Sequence, residues 1–387
     1  MPENEVEMPE QSVLRKKKMW PWVLVALVIS GVIIVSIAAL QVYRNITAPK
    51  PTPTVKVGVL AAFTGGSSSM GYGIMKGVQL AKKQLGASAI EIVQADSQCD
   101  PNMAREAMKR LLEQKVVAVI GDGCSSASVA VLPQANNSKV VMVSPSASST
   151  ALSIPNDYFF RVIPSDNFQA SYIAEAMLAR GIKKAAVFYT NEPYGANMNV
   201  AFQEKYQSLG GQVVATAYGE PDDIELTAQM KLLKDAKPEG VFIAPNSAVS
   251  ATGAVRIARQ IGITSPLFGA DIFYDQTIIT NAPAATDKLT ITSFPTGSSS
   301  FKQMLINEYK VDEQLYAAPQ AYDAFEAIYR AVQSGANTGE TIKEALASIR
   351  FDGVSARVEF DQSGEVPGKD YKYDVLQIKN GEFTKVE

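Results

Sequence analysis

The sequence predicts an α/β protein with two parallel-sheet lobes, preceded by one transmembrane helix. Three observations support this prediction. Short apolar runs alternate with amphipathic helical patterns over residues 55–143, and a second series of the same kind begins at Ile182. Such alternation is typical of parallel sheets covered by helices on both faces. The third observation is an uncharged segment, residues 19–40, near the N-terminus.

The N-terminal segment has the length and the flanking residues of a membrane anchor. As a helix, residues 19–40 would be about 33 Å long, enough to cross the hydrocarbon core of a bilayer. The basic residues 15–18 precede them, so the positive-inside rule makes residues 1–18 a short cytoplasmic tail. A cleaved secretory signal is the alternative, but its apolar core usually has about 7–15 residues. We therefore predict a single-pass plasma-membrane protein with an anchor over residues 19–43 and an extracytoplasmic body.

Prolines separate this anchor from the body. Residues 44–54 contain Pro49, Pro51 and Pro53, which favour an extended spacer over a packed element.

After the two α/β series, the chain ends in YDVLQIKNGEFTKV, whose Asn-Gly pair predicts a hairpin turn. The body is thus expected to hold two lobes and a C-terminal hairpin.

Composition argues against several classes of function. The formal net charge is −3 and the body has no long basic run, which argues against a nucleic-acid partner. The chain contains no histidine, which removes Ser-His-Asp and Cys-His catalysis and His-ligated metal sites. The glycine run TGGSSSMGYG lacks the Gly-Lys-Ser/Thr end of a phosphate-binding P-loop. We predict a protein that binds a small molecule, is not an enzyme and needs no cofactor or metal.

Two cysteines, Cys99 and Cys124, each follow a predicted strand of the first series. If the two strands are close in a parallel sheet, their carboxyl ends lie on one rim, so a disulfide is the economical interpretation in an exported chain. Two free thiols are one alternative. A nucleophilic Cys124 is another, although it would lack a histidine base.

Eight stretches of the body, in this order, carry a resemblance to one family. They are GVLAAFTGGSSSMGYGIMKGVQLA, CDPNMAREAMKRL, VVAVIGDGCSSAS, SPSASSTAL, FFRVIPSDNFQA, VFYTNEPYGANM, AYDAFEAIYRA and FDGVSARVEFDQSGEV. The chain resembles the type I periplasmic solute-binding proteins of ABC transporters, in the leucine/isoleucine/valine-binding branch. The resemblance runs from about Val55 to the C-terminus.

The resemblance implies two lobes joined by three crossovers, with the ligand in the cleft between them. It also implies a disulfide between Cys99 and Cys124. The crossovers would fall near residues 163–166, 293–296 and 364–368. Lobe 1 would comprise residues 55–163 and 294–365, and lobe 2 would comprise residues 164–293 and 366–387.

The resemblance further implies which residues bind an amino acid. Ser125 and Ser148 match positions that bind the α-carboxylate, and Ser146 matches one whose backbone carbonyl faces the α-ammonium. Asp271 matches the second-lobe acid that pairs with the ammonium, and Tyr194 matches an aromatic that reaches the ligand. Without the resemblance, the serines are interpreted as helix caps, Asp271 as a turn or capping residue and Tyr194 as cover for the core edge.

Two positions depart from the family pattern. Met70, with Tyr72 nearby, stands where an aromatic flanks the side-chain pocket, and Asn246 stands where a second-lobe tyrosine is expected. Asn246 could admit a more polar side chain, so the expected ligand is an amino acid, branched-chain or similar, or a related small carboxylate.

The resemblance therefore predicts a membrane-tethered substrate-binding protein that closes on its ligand and presents the closed form to ABC permease and ATPase subunits. The alternative is a sensor of the same fold. Because residues 1–18 are too few for a signalling domain, such a sensor would act through a membrane partner.

Overall fold

The computed structural model describes Trp22, Val25 and residues 29–39, 54–310 and 315–386. Residues 29–39 form a helix, α1, with exposed side chains. Within these described parts of the chain, no helix is both long and apolar enough to cross a membrane. The predicted tail, anchor and spacer fall largely outside the described residues and stay predictions. The elements below belong to a separate unit, Thr54–Glu387.

The first sheet has five parallel strands in the order β2-β1-β3-β4-β5. Its central strands are buried along their whole length or nearly so, as expected for a sheet covered on both faces. The strands are Val55–Ala61 (β1), Ile90–Asp96 (β2), Ala118–Gly121 (β3), Val141–Ser144 (β4) and Phe159–Arg161 (β5).

Helices follow the strands of this sheet as the sequence predicts. Asp100 caps the second of them, accepting hydrogen bonds from the N–H groups of Asn102 and Met103 at 2.8 Å each, and Pro101 begins it. An Asp-Pro pair is typical of a helix N-cap and first turn, so the sequence predicts this helix start and the structure confirms it. The helices before the first crossover are Ser68–Gln84 (α2), Pro101–Glu113 (α3) and Ser125–Ser138 (α4).

The second sheet has seven strands in the order β14-β13-β10-β9-β8-β6-β7. β6 to β10 run parallel to one another, whereas β13 runs antiparallel to β10 and β14. Asn380 and Gly381 both have positive φ, which confirms the predicted hairpin turn. The strands are Lys184–Thr190 (β6), Gln212–Gly219 (β7), Gly240–Ala244 (β8), Leu267–Gly269 (β9), Thr290–Ser293 (β10), Asp374–Lys379 (β13) and Glu382–Lys385 (β14).

The remaining elements cover the two sheets. A small hairpin pairs β11 (Arg350–Asp352) with β12 (Arg357–Glu359). The helices are Asp166–Ala179 (α5), Pro193–Ser208 (α6), Thr227–Asp235 (α7), Ala248–Gln260 (α8), Gln276–Asn281 (α9), Pro283–Thr286 (α10), Ser299–Tyr309 (α11), Ala318–Gln333 (α12) and Gly339–Leu346 (α13).

A buried ion pair joins β5 to the third predicted crossover. The Arg161 side chain is 1% exposed and donates to the Glu365 carboxylate. It also donates to the backbone carbonyls of Ala147 and Ser149 at 3.2 and 2.9 Å. Because Arg161 makes all of these bonds at once, it connects the turn after β4 to the crossover region. The predicted lobe borders themselves stay predictions.

Candidate functional site

Two serine-bearing turns lie side by side at the carboxyl ends of β3 and β4. The Ser146 hydroxyl donates to the Gly123 carbonyl at 2.9 Å, and the Ser149 N–H donates to the Ser125 hydroxyl at 3.1 Å. Both predicted serines are buried. In open α/β sheets this edge is where ligands bind. The structure therefore brings Ser125 and Ser146 together, as the sequence predicts.

The turn after β3 also delivers a helix N-terminus to this edge. α4 begins at Ser125, and its N-cap, Cys124, makes no side-chain capping bond. The first N–H groups of a helix have no partner within the helix and lie at the positive end of its dipole. Such an end suits an anion, so this turn is chemically fit for a carboxylate.

A disulfide between Cys99 and Cys124 fixes this helix start, as predicted. The Cα atoms of the two cysteines lie 5.6 Å apart. The bond connects the turn after β2 to the start of α4, and the Ser126 hydroxyl adds a hydrogen bond to the Cys99 carbonyl at 3.2 Å. Both cysteines line the cleft cavity, so the disulfide is part of its wall.

Across the cleft, Asp271 is held by two phenols. It follows β9 and is 2% exposed. The Tyr194 hydroxyl, at the start of α6, donates to Asp271 Oδ1 at 3.1 Å, and the Tyr316 hydroxyl donates to Oδ2. Tyr194 and Asp271, each predicted to contact the ligand, thus lie within hydrogen-bond distance of one another. Burial raises the pKa of Asp271, and the hydrogen bonds from its neighbours partly offset this effect.

Tyr316 is a site residue that the sequence analysis missed. It precedes α12, in the segment predicted to belong to the first lobe, and reaches an acid of the second lobe. Its only sequence signal is its position just before the stretch AYDAFEAIYRA, which carries part of the resemblance.

Asp166 is a second missed residue. It is the first residue of α5 and is fully buried. Burial raises its pKa to about 8, while the neighbouring Ser148 hydroxyl and the Arg161 charge act to lower it and the Asp271 charge acts to raise it. Among the described residues, neither oxygen of its carboxyl has a hydrogen-bond partner of normal geometry. An acid placed directly at a predicted crossover is the signal that could have identified it.

Most of the predicted site residues line one cavity between the lobes. It measures about 30 Å³. The predicted residues in its wall are Met70, Ser125, Ser146, Tyr194, Asn246 and Asp271. A larger groove of about 850 Å³ runs along α8 and contains none of the predicted residues.

Two predicted residues lie elsewhere. Tyr72 is 45% exposed, and its ring lies 5.1 Å from the Lys76 ammonium rather than in the cavity wall. Ser148 is buried beside Asp166, behind the wall. The structure therefore gives Ser148 a place next to a buried acid and does not bring Tyr72 to the cavity.

Comparison with known proteins supports the same interpretation. Residues 54–382 match the family described as periplasmic binding protein. A leucine-, isoleucine-, valine-, threonine- and alanine-binding protein of Pseudomonas aeruginosa is 23% identical over 339 residues, covering 82% of this chain and 88% of its own.

Two solved structures show the fold. The substrate-binding protein of a branched-chain amino acid transporter from Streptococcus pneumoniae, bound to isoleucine, has a TM-score of 0.78 and 25% identity over 85% of this chain and 97% of its own. A solute-binding protein of an ABC transporter from R. palustris, bound to benzoate, has a TM-score of 0.78 at 19% identity over 86% and 95% of the two chains. Because the family match spans most of the sequence, this chain belongs to the periplasmic binding protein family, and its fold is that of type I members that bind branched-chain amino acids.

Proposed function

We propose that this protein is the extracytoplasmic substrate-binding protein of an ABC importer and captures an amino acid, branched-chain or similar, between its lobes. The observation that carries the proposal is the placement of Asp271, a buried acid of the second lobe, opposite the serine turns and the α4 N-terminus of the first. The serine turns and the α4 N-terminus form the first wall of the cavity, which suits an anion. Asp271 and its two phenol partners form the second wall, which suits a cation. An α-amino acid carries both charges on adjacent groups.

At the first wall, the ligand carboxylate would accept hydrogen bonds from the α4 N-terminus and the Ser125 hydroxyl. These groups are already fixed by the disulfide and by the bond from Ser149. A donor set fixed before binding loses little freedom on binding, which favours affinity. The turns around Ser125 and Ser146 are accordingly the proposed carboxylate site.

At the second wall, the ligand ammonium would lie against the Asp271 carboxylate. Tyr194 and Tyr316 occupy one lone-pair direction on each Asp271 oxygen. Each carboxylate oxygen accepts about two hydrogen bonds, so both oxygens keep room for an ammonium donor. Asp166 and its raised pKa add a second carboxyl nearby that can ionise when a cation arrives.

Ligand contacts on both walls favour the state in which the lobes meet. A ligand drives closure only through its higher affinity for the closed state. An amino acid that bridges Ser125 and Asp271 has this property, because it completes its contacts only when the two walls approach. Entry requires the lobes to separate, which is a hinge movement. The closed form would be the one offered to the permease and ATPase subunits, with the anchor over residues 19–43 holding the protein at the plasma membrane.

Calorimetric titration of the full-length protein with charge analogues of one ligand tests this proposal. Leucine carries both charges, 4-methylpentanoate lacks the ammonium, and 3-methylbutylamine lacks the carboxylate. We expect binding of the amino acid and a loss of at least about thirtyfold for each analogue, since each leaves one charged side of the cavity without its partner. If leucine does not bind, the other amino acids are titrated in the same way. Equal binding of the carboxylate that lacks an ammonium would contradict the proposal.

A further inference from the structure

We propose that the cleft prefers amino acids whose side chain carries a hydroxyl or an amide over those with an apolar side chain, and that Asn246 determines this preference. The inference rests on the proposed function, because it assumes that an amino acid occupies the cavity. It goes further by naming the chemical class of the ligand side chain.

The backbone around Asn246 is fixed from both sides. Asn246 follows β8 and immediately precedes Ser247, the N-cap of α8, whose hydroxyl accepts a hydrogen bond from the Ser250 N–H at 3.2 Å. Its own carbonyl accepts a hydrogen bond from the Ser67 hydroxyl of the first lobe at 3.5 Å. A strand end and a helix start therefore hold the Asn246 side chain at the cavity wall.

The side-chain amide of Asn246, at this wall, contains an acceptor without a hydrogen-bond partner. Its side-chain oxygen is shielded from solvent and has no hydrogen-bond partner within the described parts of the chain. A buried amide oxygen without a donor is costly in free energy, and few native side chains are left in this condition. A ligand group that donates to it would remove that cost.

Among the other described side chains of the cavity, the Ser125 hydroxyl is the one left free to donate, and the proposed function assigns it to the ligand carboxylate. Met70, Ile272 and Pro245 are apolar, as is the disulfide. The hydroxyls in the wall that donate do so elsewhere: Ser126 to the Cys99 carbonyl, Ser146 to the Gly123 carbonyl, and Tyr194 and Tyr316 to Asp271. With the Ser125 hydroxyl bound to the ligand carboxylate, the donor that Asn246 lacks would come from the ligand.

A hydroxyl or a primary amide on the ligand is suited to this role. Both groups donate and accept, so they satisfy the Asn246 amide whichever way its oxygen and nitrogen are oriented. An apolar side chain of the same shape leaves the amide unpaired. Sites built to hydrogen-bond a ligand group discriminate strongly against an analogue that lacks it, whereas apolar pockets discriminate weakly.

Calorimetric titration of the full-length protein with two isosteric ligand pairs tests the inference. The pairs are threonine with valine and asparagine with leucine. We expect the polar member of at least one pair to bind the natural protein at least tenfold more tightly than the apolar member. In Asn246→Leu and Asn246→Ala, this ratio should fall to about one or reverse. Thermal unfolding of each variant establishes that it is folded. Asn307→Leu, on the exposed face of α11, is the matched control and should keep the natural ratio.

Three results would overturn the inference. The first is equal or tighter binding of valine and leucine by the natural protein, which would leave the amino-acid function intact. The second is a polar preference that survives in both Asn246 variants. The third is no binding of any amino acid, which would remove the proposed function together with the inference.

Discussion

Asp271 and Glu192 are the acids that line the cleft cavity, and Asp166 is buried beside them. Desolvation raises the pKa of each, and the charge on Asp271 raises that of Asp166 further. Arg161, whose guanidinium lowers the pKa of Asp166, is already paired with Glu365. The cavity wall itself contains acids and no lysine or arginine among the described residues. We therefore expect the ligand to supply the positive charge that pairs with the acids of the cavity.

Asp271→Asn should abolish most of the ligand affinity. The amide keeps the shape and can still accept from one phenol, but it leaves the ligand ammonium buried without an anion. Loss of one partner of a buried charged pair costs about 2–5 kcal/mol, or at least about thirtyfold in Kd. Calorimetric titration measures this loss. Tyr72→Ala, outside the cavity wall, should leave Kd unchanged, and a Kd for Asp271→Asn equal to that of the natural protein would refute the pairing.

Because the pKa of Asp166 is raised, the stability of the ligand-free protein should depend on pH. Its folded pKa of about 8 lies above the ordinary value of 3.8. Between these two values the folded protein keeps a proton that the unfolded chain has lost. Stability should therefore fall as the pH rises from about 4 to about 8.

Thermal unfolding of the natural protein and of Asp166→Asn over this pH range isolates the effect. The buried acids Asp122 and Asp323, whose pKa values burial raises to about 7, act in the same direction in both proteins. The variant should show the shallower decline and the higher Tm at pH 8. Parallel curves for the two proteins would show that Asp166 is ionised in the folded state.

The start of α4 shows how an element prepares the site. The disulfide and the Ser126 hydroxyl hold its first turn against the loop that follows β2. The sequence separation of the two cysteines is 25 residues. Closure of such a loop stabilises by roughly 3 kcal/mol in the chain-entropy model.

The double variant Cys99→Ser/Cys124→Ser should lose about this much stability in denaturant unfolding and should bind the ligand more weakly. Reduction of the natural protein should reproduce both effects. Unchanged affinity in the folded double variant would mean that the disulfide supports the fold alone and not the carboxylate site.

A contact between α2 and the loop before α9 shows how elements of the two lobes meet. The Ser69 hydroxyl donates to Asp275 Oδ2, while Asp275 Oδ1 accepts from the Thr277 N–H and hydroxyl at 2.8 and 2.6 Å. Asp275 is thus held at the start of α9 and receives Ser69 across the cleft. Such a contact favours the closed state without touching the ligand.

Ser69→Ala should therefore speed ligand release and weaken affinity by about tenfold or more, since a hydrogen bond to a charged group contributes about 1.5–3 kcal/mol. Stopped-flow measurement of the dissociation rate tests this expectation. The neighbouring Ser68→Ala is the matched control, and the unfolding midpoint of the ligand-free protein should be the same in both variants. A dissociation rate for Ser69→Ala equal to that of Ser68→Ala would rule out the contact as a determinant of closure.

In the whole molecule, local sequence patterns predict the helices, strands and turns, whereas the composition of the site depends on contacts between residues far apart in the chain. The alternation of strand and helix patterns, the Asp100 cap and the Asn380-Gly381 turn depend on near neighbours in sequence, and all three are confirmed. Tyr316 meets an acid 45 positions away in the chain, and the local pattern around it carries no sign of this contact.

Helix geometry explains a further difference between expectation and structure. Met70 and Tyr72 are two positions apart on α2, which places their side chains roughly 200° apart around the helix axis. Met70 is in the cavity wall, so Tyr72 points away from it and is exposed. The burial of Asp166 similarly depends on the packing of the crossover against the turn after β4, which the sequence pattern does not express.

A crystal structure of the full-length protein with a bound amino acid would show whether the ligand bridges Ser125 and Asp271. We expect the ligand carboxylate within about 3.2 Å of the Ser125 hydroxyl and the α4 N-terminus, and the ammonium at a similar distance from the Asp271 carboxylate. The lobes should meet around it, with Tyr316 still donating to Asp271. A ligand in the groove along α8, or one in the cleft with its ammonium directed at the α4 N-terminus, would contradict the account.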